Sequence, residues 1–229
     1  MFRVATVFFD MGGTLLKPNR EYIMRTILRN KGIEVPITSI HRAFVEADKL
    51  WEESYDGKGL MGIEAEYSYQ QKNRMVLHSL GLINHELLQA VNSSLQKSWI
   101  QEKLYRDAEP CLRLVKEKGI DVGIISNASP EMNNVIKRLG IDKYARTVVI
   151  SELVGKAKPD PAIFEHALKM SGRKAHESLY IGDYYKIDVL GAKRAGMQAV
   201  LIDRDDRYSG IDCAKVRNLG EFCAMVEPL

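Results

Sequence analysis

Apolar positions along the chain follow two periods, and the change between them divides it. Val4, Ala5, Val7, Phe8 and Phe9 form a nearly unbroken apolar run that stops at Asp10, as a strand buried on both faces requires. From Leu16 to about residue 100 the period becomes helical. Tyr22, Ile23, Thr26 and Ile27 share one face, Phe44, Ala47 and Trp51 another, and Met75, Val76, Ser79 and Leu80 repeat the spacing; Asn84 stands as a cap before Leu88, Val91, Leu95 and Trp99. These patterns predict four helices and no strand. From about Leu104 strands and helices alternate. Pro110 opens a helix that Gly119 ends, Ile120–Ser126 reads as a strand, and Pro130 starts a helix running to about Leu139. Thr147–Ser151 is a third strand, Asp160-Pro161 begins another helix, and Ser178–Ile181 is a fourth strand. A helix over Ile187–Ala195 with Gly196 as its stop and a fifth strand at Gln198–Ile202 complete the series.

Strands joined by helices of this length predict an α/β fold, a doubly wound parallel sheet with right-handed crossovers. Residues 1–16 and 101–229 are expected to form the α/β core and residues 17–100 an inserted α-helical cap domain. Only about thirty residues separate Asn127 from Lys158, too few for a second insertion. There is no internal repeat and no low-complexity tract.

Composition removes several classes of function. A hydrophobic content of 45% in 229 residues supports a packed core. The 33 basic and 30 acidic residues are scattered, with no basic run of the kind that tracks nucleic acid. Cys111, Cys213 and Cys223 are an odd number with no C-x-x-C pair, so neither a disulfide framework nor a thiolate zinc site is indicated. The apolar run before Asp10 is too short for a signal peptide, and no stretch is long enough to span a bilayer. A cytoplasmic protein with no nucleic-acid and no membrane partner is expected.

The candidate chemistry lies at strand ends. In open α/β sheets ligands bind at the carboxyl edge, where Asp10 ends one apolar run and Gly12-Gly13 allow a tight turn and a close backbone approach to a ligand. IISNAS places Ser126 and Asn127 at the end of a second run, and LYIGDYYKID ends a third at Asp183 with Asp188 five residues on. KPDPAIF sets Lys158 ahead of a proline-started helix. Taken singly each has a plain alternative: Asp10 and Asp183 as turn residues, Ser126 and Asn127 as helix caps, Lys158 as a solvated loop lysine.

In that order the four segments resemble the haloacid dehalogenase-like hydrolase superfamily, most of whose members are magnesium-dependent phosphatases. The resemblance implies a strand order of 3-2-1-4-5, with Asp10 and Asp183 on adjacent strands. It implies that Asp10 is the nucleophile and forms an aspartyl-phosphate, and that Asp183, Asp10 and the Gly12 carbonyl hold Mg2+ with Asp188 close by; hard oxygen ligands suit that ion. Ser126, Asn127 and the Gly13 turn would contact the phosphoryl group, Lys158 would neutralise phosphate and acids, and Thr14 would brace the nucleophile loop through a hydrogen bond. The implied substrate is a small phosphorylated metabolite.

One position departs from the family. Where most phosphatases carry D-x-D-G-T, with a second acid for proton transfer, this chain has Gly12, and such groups contribute roughly 10²–10⁴ in rate. Substrates with good leaving groups would tolerate the loss, a residue of the helical insert such as Tyr55, Asp56 or Lys58 would replace it, or the aspartyl-phosphate would persist. The rival activities are 2-haloacid dehalogenation, opposed by Asp183 because an acid cluster without a cation repels an anionic substrate, and phosphonate hydrolysis, for which nothing singles out one lysine of the insert. A catalytically weakened binding or regulatory protein on this fold is the third alternative. The glycines at 57, 59 and 62 lack the order of nucleotide loops, and neither the physiological substrate nor the oligomeric state is legible.

Overall fold

The structure, a computed structural model, describes residues 1–56, 61–96 and 98–229, and excludes the side chains of Ile63, Trp99 and Ile100. Lys58, a candidate proton donor, therefore lies outside the described residues, as do Gly57 and Gly59. Of the described residues, 1–17, 61 and 103–229 form one compact unit and 18–56 with 62–102 a second.

The first unit opens with strands β1 (Phe2–Val4), β2 (Thr6–Phe9) and β3 (Leu16–Lys17). All four residues of β2 are buried, which is why its sequence is apolar without alternation. Successive side chains still point to opposite faces. Phe8 packs in a cluster with Phe164 and Tyr180, and Phe9 meets Phe222 edge to face at 5.8 Å. Each such burial contributes about 1.5–3 kcal/mol.

The second unit consists of helices α1 (Arg20–Asn30), α2 (Ile37–Ser54), α3 (Ile63–Ser79) and α4 (His85–Leu95). Their shared core is built from Met24, Leu28, Ile40, Phe44, Val76, Leu77, Leu87 and Val91. Asn84 caps α4 by accepting from the Leu87 N–H at 2.7 Å. The faces differ from the expected ones in two helices. In α1 the buried stripe is Met24 and Leu28, while Tyr22 is exposed and the Thr26 hydroxyl donates back to the Tyr22 carbonyl. Two overlapping apolar i, i+4 pairs compete in that window, and the half-buried Ile27 borders both. In α3 the stripe is Val76 and Leu77, and Ser79 instead donates to Glu46 at 2.8 Å. Trp99 falls in a short 3-10 turn, Ser98–Gln101, beyond the end of α4.

The first unit resumes with β4 (Lys103–Leu104), antiparallel to β3, and α5 (Ala108–Glu117), which starts two residues before Pro110 because proline is tolerated within a first turn. Then follow β5 (Asp121–Ser126), α6 (Met132–Arg138), β6 (Ala145–Ile150), α7 (Ser151–Val154), α8 (Pro161–Ser171) and β7 (Ser178–Gly182). A wide π turn, Tyr185–Val189, precedes α9 (Leu190–Arg194), where a continuous α-helix was expected. The chain ends with β8 (Gln198–Ile202), β9 (Ala214–Val216), α10 (Leu219–Ala224) and β10 (Val226–Pro228).

The central sheet is parallel throughout, in the order β6-β5-β2-β7-β8-β9. Its first five strands have the expected 3-2-1-4-5 order, and β9 adds a sixth. Parallel connections leave every carboxyl end of β2, β5 and β7 on one edge, with β2 between the other two. Among the described residues no helix is long and apolar enough to cross a membrane.

Candidate active site

Three carboxylates meet at that edge. Asp10 leaves β2 with its N–H donating to the Ile181 carbonyl of β7 at 2.9 Å. Asp183 follows β7 directly, and the π turn returns Asp188 toward the same point. Asp10, Asp183 and Asp188 each offer a carboxylate oxygen, all within 4.8 Å of one another, and all three residues are buried. Two glycines make this approach possible. A Cβ on Gly13, whose φ is +71°, would sit 2.4 Å from Asp183 Oδ2, and one on Gly182 would sit 2.3 Å from the Asp188 carboxyl carbon. Side chains at either position would push an acid out of the cluster.

Lys158 supplies the balancing charge. Asn127 fixes its backbone from both sides, accepting from the Lys158 N–H at 2.8 Å and donating to its carbonyl at 2.9 Å. The ammonium then directs its three protons to Asp10 Oδ1 at 2.6 Å, Asp188 Oδ1 at 2.6 Å and the Tyr180 hydroxyl at 2.8 Å. The Tyr180 hydroxyl faces both the Ile125 carbonyl and Asp188 Oδ1 at 3.1 Å, and Asp188 Oδ2 accepts from the Tyr184 N–H at 2.9 Å. Burial opposes the charge on Lys158, yet the carboxylates of Asp10 and Asp188 hold its pKa above the ordinary lysine range. Burial pushes the Asp10 carboxyl up to about 7, with Asp188 and Asp183 adding to the rise and Lys158 opposing it. Burial, then Asp188 and Asp10, hold Tyr180 well above the usual phenol range, so it remains a neutral donor. The cluster is therefore short of positive charge, and its donors are all oxygen. Such a set suits a hard divalent cation.

Two arginines lock the surrounding loops. Arg204 pairs with Asp107 at 2.9 and 3.0 Å and donates to the carbonyls of Gly13 and Thr14 at 3.3 and 3.0 Å. Arg207 donates to the Asp183 carbonyl at 2.6 Å and to its Oδ2 at 2.8 Å.

Asp10, Lys158, Asp183 and Asp188 thus converge, and Ser126 lies buried at the end of β5. Of the two donors Asn127 offers, the side-chain amide is committed to the Lys158 backbone. Thr14 differs from the expectation: its hydroxyl is buried with no hydrogen-bond partner among the described residues, so the bracing bond implied by the resemblance is not formed. The bracing of that loop comes from Arg204. Gly12 bridges to Leu16 in the turn, and a Cβ there would meet nothing within 4 Å among the described residues. The apolar pattern and motif spacing do not single out Tyr180, Arg204 or Arg207. For the arginines a signal existed: both follow the end of a core strand, at the edge where ligands bind.

A family model for haloacid dehalogenase-like hydrolases matches residues 4–196. The chain is 30% identical over 207 residues to a glyceraldehyde 3-phosphate phosphatase of Methanopyrus kandleri, covering 88% of this chain and 84% of that one. It is 26% identical over 202 residues to the haloacid dehalogenase-like hydrolase domain-containing protein 3 of Bos taurus, covering 85% of this chain and 80% of that one. The fold is similar to that of the putative HAD-hydrolase YfnB from Bacillus subtilis, solved bound to magnesium, with a TM-score of 0.74 at 17% identity over 97% of this chain and 98% of that one. By the extent of the family match, this chain belongs to the haloacid dehalogenase-like hydrolases.

Proposed function

We propose that this hydrolase is a magnesium-dependent phosphatase acting on a small phosphorylated metabolite, with Asp10 as nucleophile. The observation that carries the reading is the Lys158 ammonium bonded to both Asp10 and Asp188 while Asp183 completes an oxygen-only acid cluster. Asp10, Asp183, Asp188 and the Gly12 carbonyl are the residues that would hold the ion. When bound, Mg2+ supplies charge to the phosphoryl oxygens and to the crowded carboxylates. The phosphatase relative from Methanopyrus kandleri supports the reaction class.

The chain's own residues then divide the work. Asp10 attacks phosphorus and the substrate oxygen leaves, giving an aspartyl-phosphate. Lys158 orients the Asp10 carboxylate through Oδ1 and screens the approach of one anion to another. The Ser126 hydroxyl and the Asn127 N–H are assigned to the non-bridging oxygens, whereas the Gly13 N–H, expected to join them, donates to the Leu16 carbonyl at 3.0 Å. Tyr180, held neutral, fixes Lys158 from below. The helical insert, residues 17–100, is assigned the role of a cap that selects the substrate.

Gly12 leaves no acid to protonate the leaving oxygen. Turnover is expected to fall steeply as the pKa of the leaving alcohol rises, favouring aryl and acyl phosphates. Because a Cβ at Gly12 meets none of the described residues, Gly12→Asp should fold and raise turnover of alkyl phosphates by about 10²-fold or more. A flat dependence on leaving-group pKa in the native protein would show that another group delivers the proton. The test of function is hydrolysis of p-nitrophenyl phosphate titrated with Mg2+, followed by a panel of phosphorylated metabolites that includes glyceraldehyde 3-phosphate. Activity without any divalent ion, or release of halide from a 2-haloacid, would reject the reading.

A further inference from the structure

We propose that Arg207 is a positioning residue of the metal site: it holds the main chain and the carboxylate of Asp183 together in one place, and thereby sets the protein's affinity for the divalent cation. The proposal rests on the reading of the acid cluster as a metal site. It concerns a residue outside all four matched segments, in the loop between β8 and β9.

That loop is built to hold a guanidinium in one place. Asp203, fully buried at the end of β8, accepts from the Arg207 N–H at 2.7 Å through Oδ1 and from the Tyr208 N–H at 3.1 Å through Oδ2. Lys215 on β9 donates to the same Oδ2 at 3.1 Å, so the turn is tied to the sheet. The guanidinium lies against two rings, 4.9 Å from the centroid of Tyr184 and 5.3 Å from that of Tyr208. Its side chain is 6% exposed. From this position it reaches both the carbonyl and Oδ2 of Asp183, and the Tyr208 hydroxyl donates to that carbonyl at 3.3 Å. The residue after β7 is therefore held by its main chain and its side chain together.

Two effects of Arg207 on cation binding oppose each other. Its charge, close to the cluster, disfavours a second cation. Its two hydrogen bonds remove the rotational freedom of Asp183, and partners of this kind are typically worth 10–100-fold in metal affinity. The acid cluster is already short of positive charge with Lys158 in place, so repulsion by one guanidinium engaged with a carboxylate is the smaller effect.

The experiment measures Mn2+ binding to the substrate-free protein by electron paramagnetic resonance and Mg2+ binding by calorimetry, with circular dichroism to verify folding. Arg207→Gln is expected to weaken both by about 10–100-fold. Arg207→Lys should fall between it and wild type, since an ammonium restores charge but not the placement of a planar guanidinium against the Tyr184 and Tyr208 rings. At saturating Mg2+ the turnover number of both variants should return to within about threefold of wild type, so that the defect lies in the metal concentration required. If Arg207→Gln does not fold, Arg207→Lys carries the test alone, and wild-type affinity there would overturn the proposal. Unchanged or tighter binding in a folded Arg207→Gln would overturn it as well, because repulsion or bulk structure would then be its role. Failure of the wild-type protein to bind either ion would instead remove the metal reading itself, and the proposal with it.

Discussion

Both units of this chain bury charge, and they balance it differently. In the helical unit Asp48, 3% exposed, is held between Arg20 at 2.6 Å and Lys72 at 3.0 Å, and Lys72 lies 4.6 Å from the ring centroid of Trp51. That acid holds two cations at once, and Arg20 also pairs with Glu21 at 3.6 Å. In the core three acids meet Lys158, with Arg207 on the outer side of Asp183. Buried charge is expensive, and a complete set of partners removes most of the cost. The first arrangement has its partners and reads as structure. The second has a deficit of positive charge that a divalent cation and a substrate would complete, and it lies at the sheet edge where chemistry is expected.

Substitutions can break this contrast. The largest effect is expected from Asp10→Asn, which should lower turnover of p-nitrophenyl phosphate by at least about 10⁴-fold with the fold retained by circular dichroism. Asp48→Asn should do the reverse. Depriving the largely buried Lys72 and the half-buried Arg20 of their shared acid should cost up to about 3 kcal/mol of stability, read as a lower thermal midpoint. Turnover at a permissive temperature should stay within about threefold, and a loss like that of Asp10→Asn would show that the helical cluster is also chemical.

The smallest effect concerns Glu102 in the helical unit. Burial raises its pKa from 4.5 to about 7, against the pull of Arg20 and of a backbone hydrogen bond from Asn19, with Glu21 adding slightly. Between those values the folded chain keeps a proton that the unfolded chain has lost. The stability this group contributes is therefore complete below about pH 4.5 and declines as pH rises through about 7. Glu102→Gln should flatten that slope, raising the thermal midpoint at pH 8 by about 5 °C relative to wild type while leaving pH 4.5 nearly unchanged. An identical slope in both proteins would place the titration elsewhere.

What could be read from the sequence follows from where each residue sits. Strands β2, β5, β7 and β8 are buried on both faces, so each is a continuous apolar run ended by a polar residue, and the sheet order follows from the resemblance those ends carry. Strand β9 is three residues with Lys215 exposed on it, which no apolar run can signal. In helix α1 two apolar pairs of equal spacing overlap, so periodicity does not separate the buried Met24 and Leu28 from their neighbours. Within the site Asp10, Asp183 and Lys158 were legible as strand ends and as a lysine before proline. Tyr180 was not, since a tyrosine inside an apolar run reads as core until the position of Lys158 is known. Arg207 lies in the segment DRDDR, where neighbouring charges of both signs look alike. Only the folded loop separates Arg204, on Asp107, from Arg207, on Asp183.

The account depends most on Asp10 accepting a phosphoryl group beside a bound cation. Acid quench of the protein turning over p-nitrophenyl phosphate with Mg2+, followed by borohydride reduction and peptide mass analysis, tests it most directly. Reduction of an aspartyl-phosphate yields homoserine, so homoserine at position 10 that appears with Mg2+ and vanishes without it is the predicted result. An unmodified Asp10 in protein that is releasing p-nitrophenol, or homoserine at another position, would contradict the account.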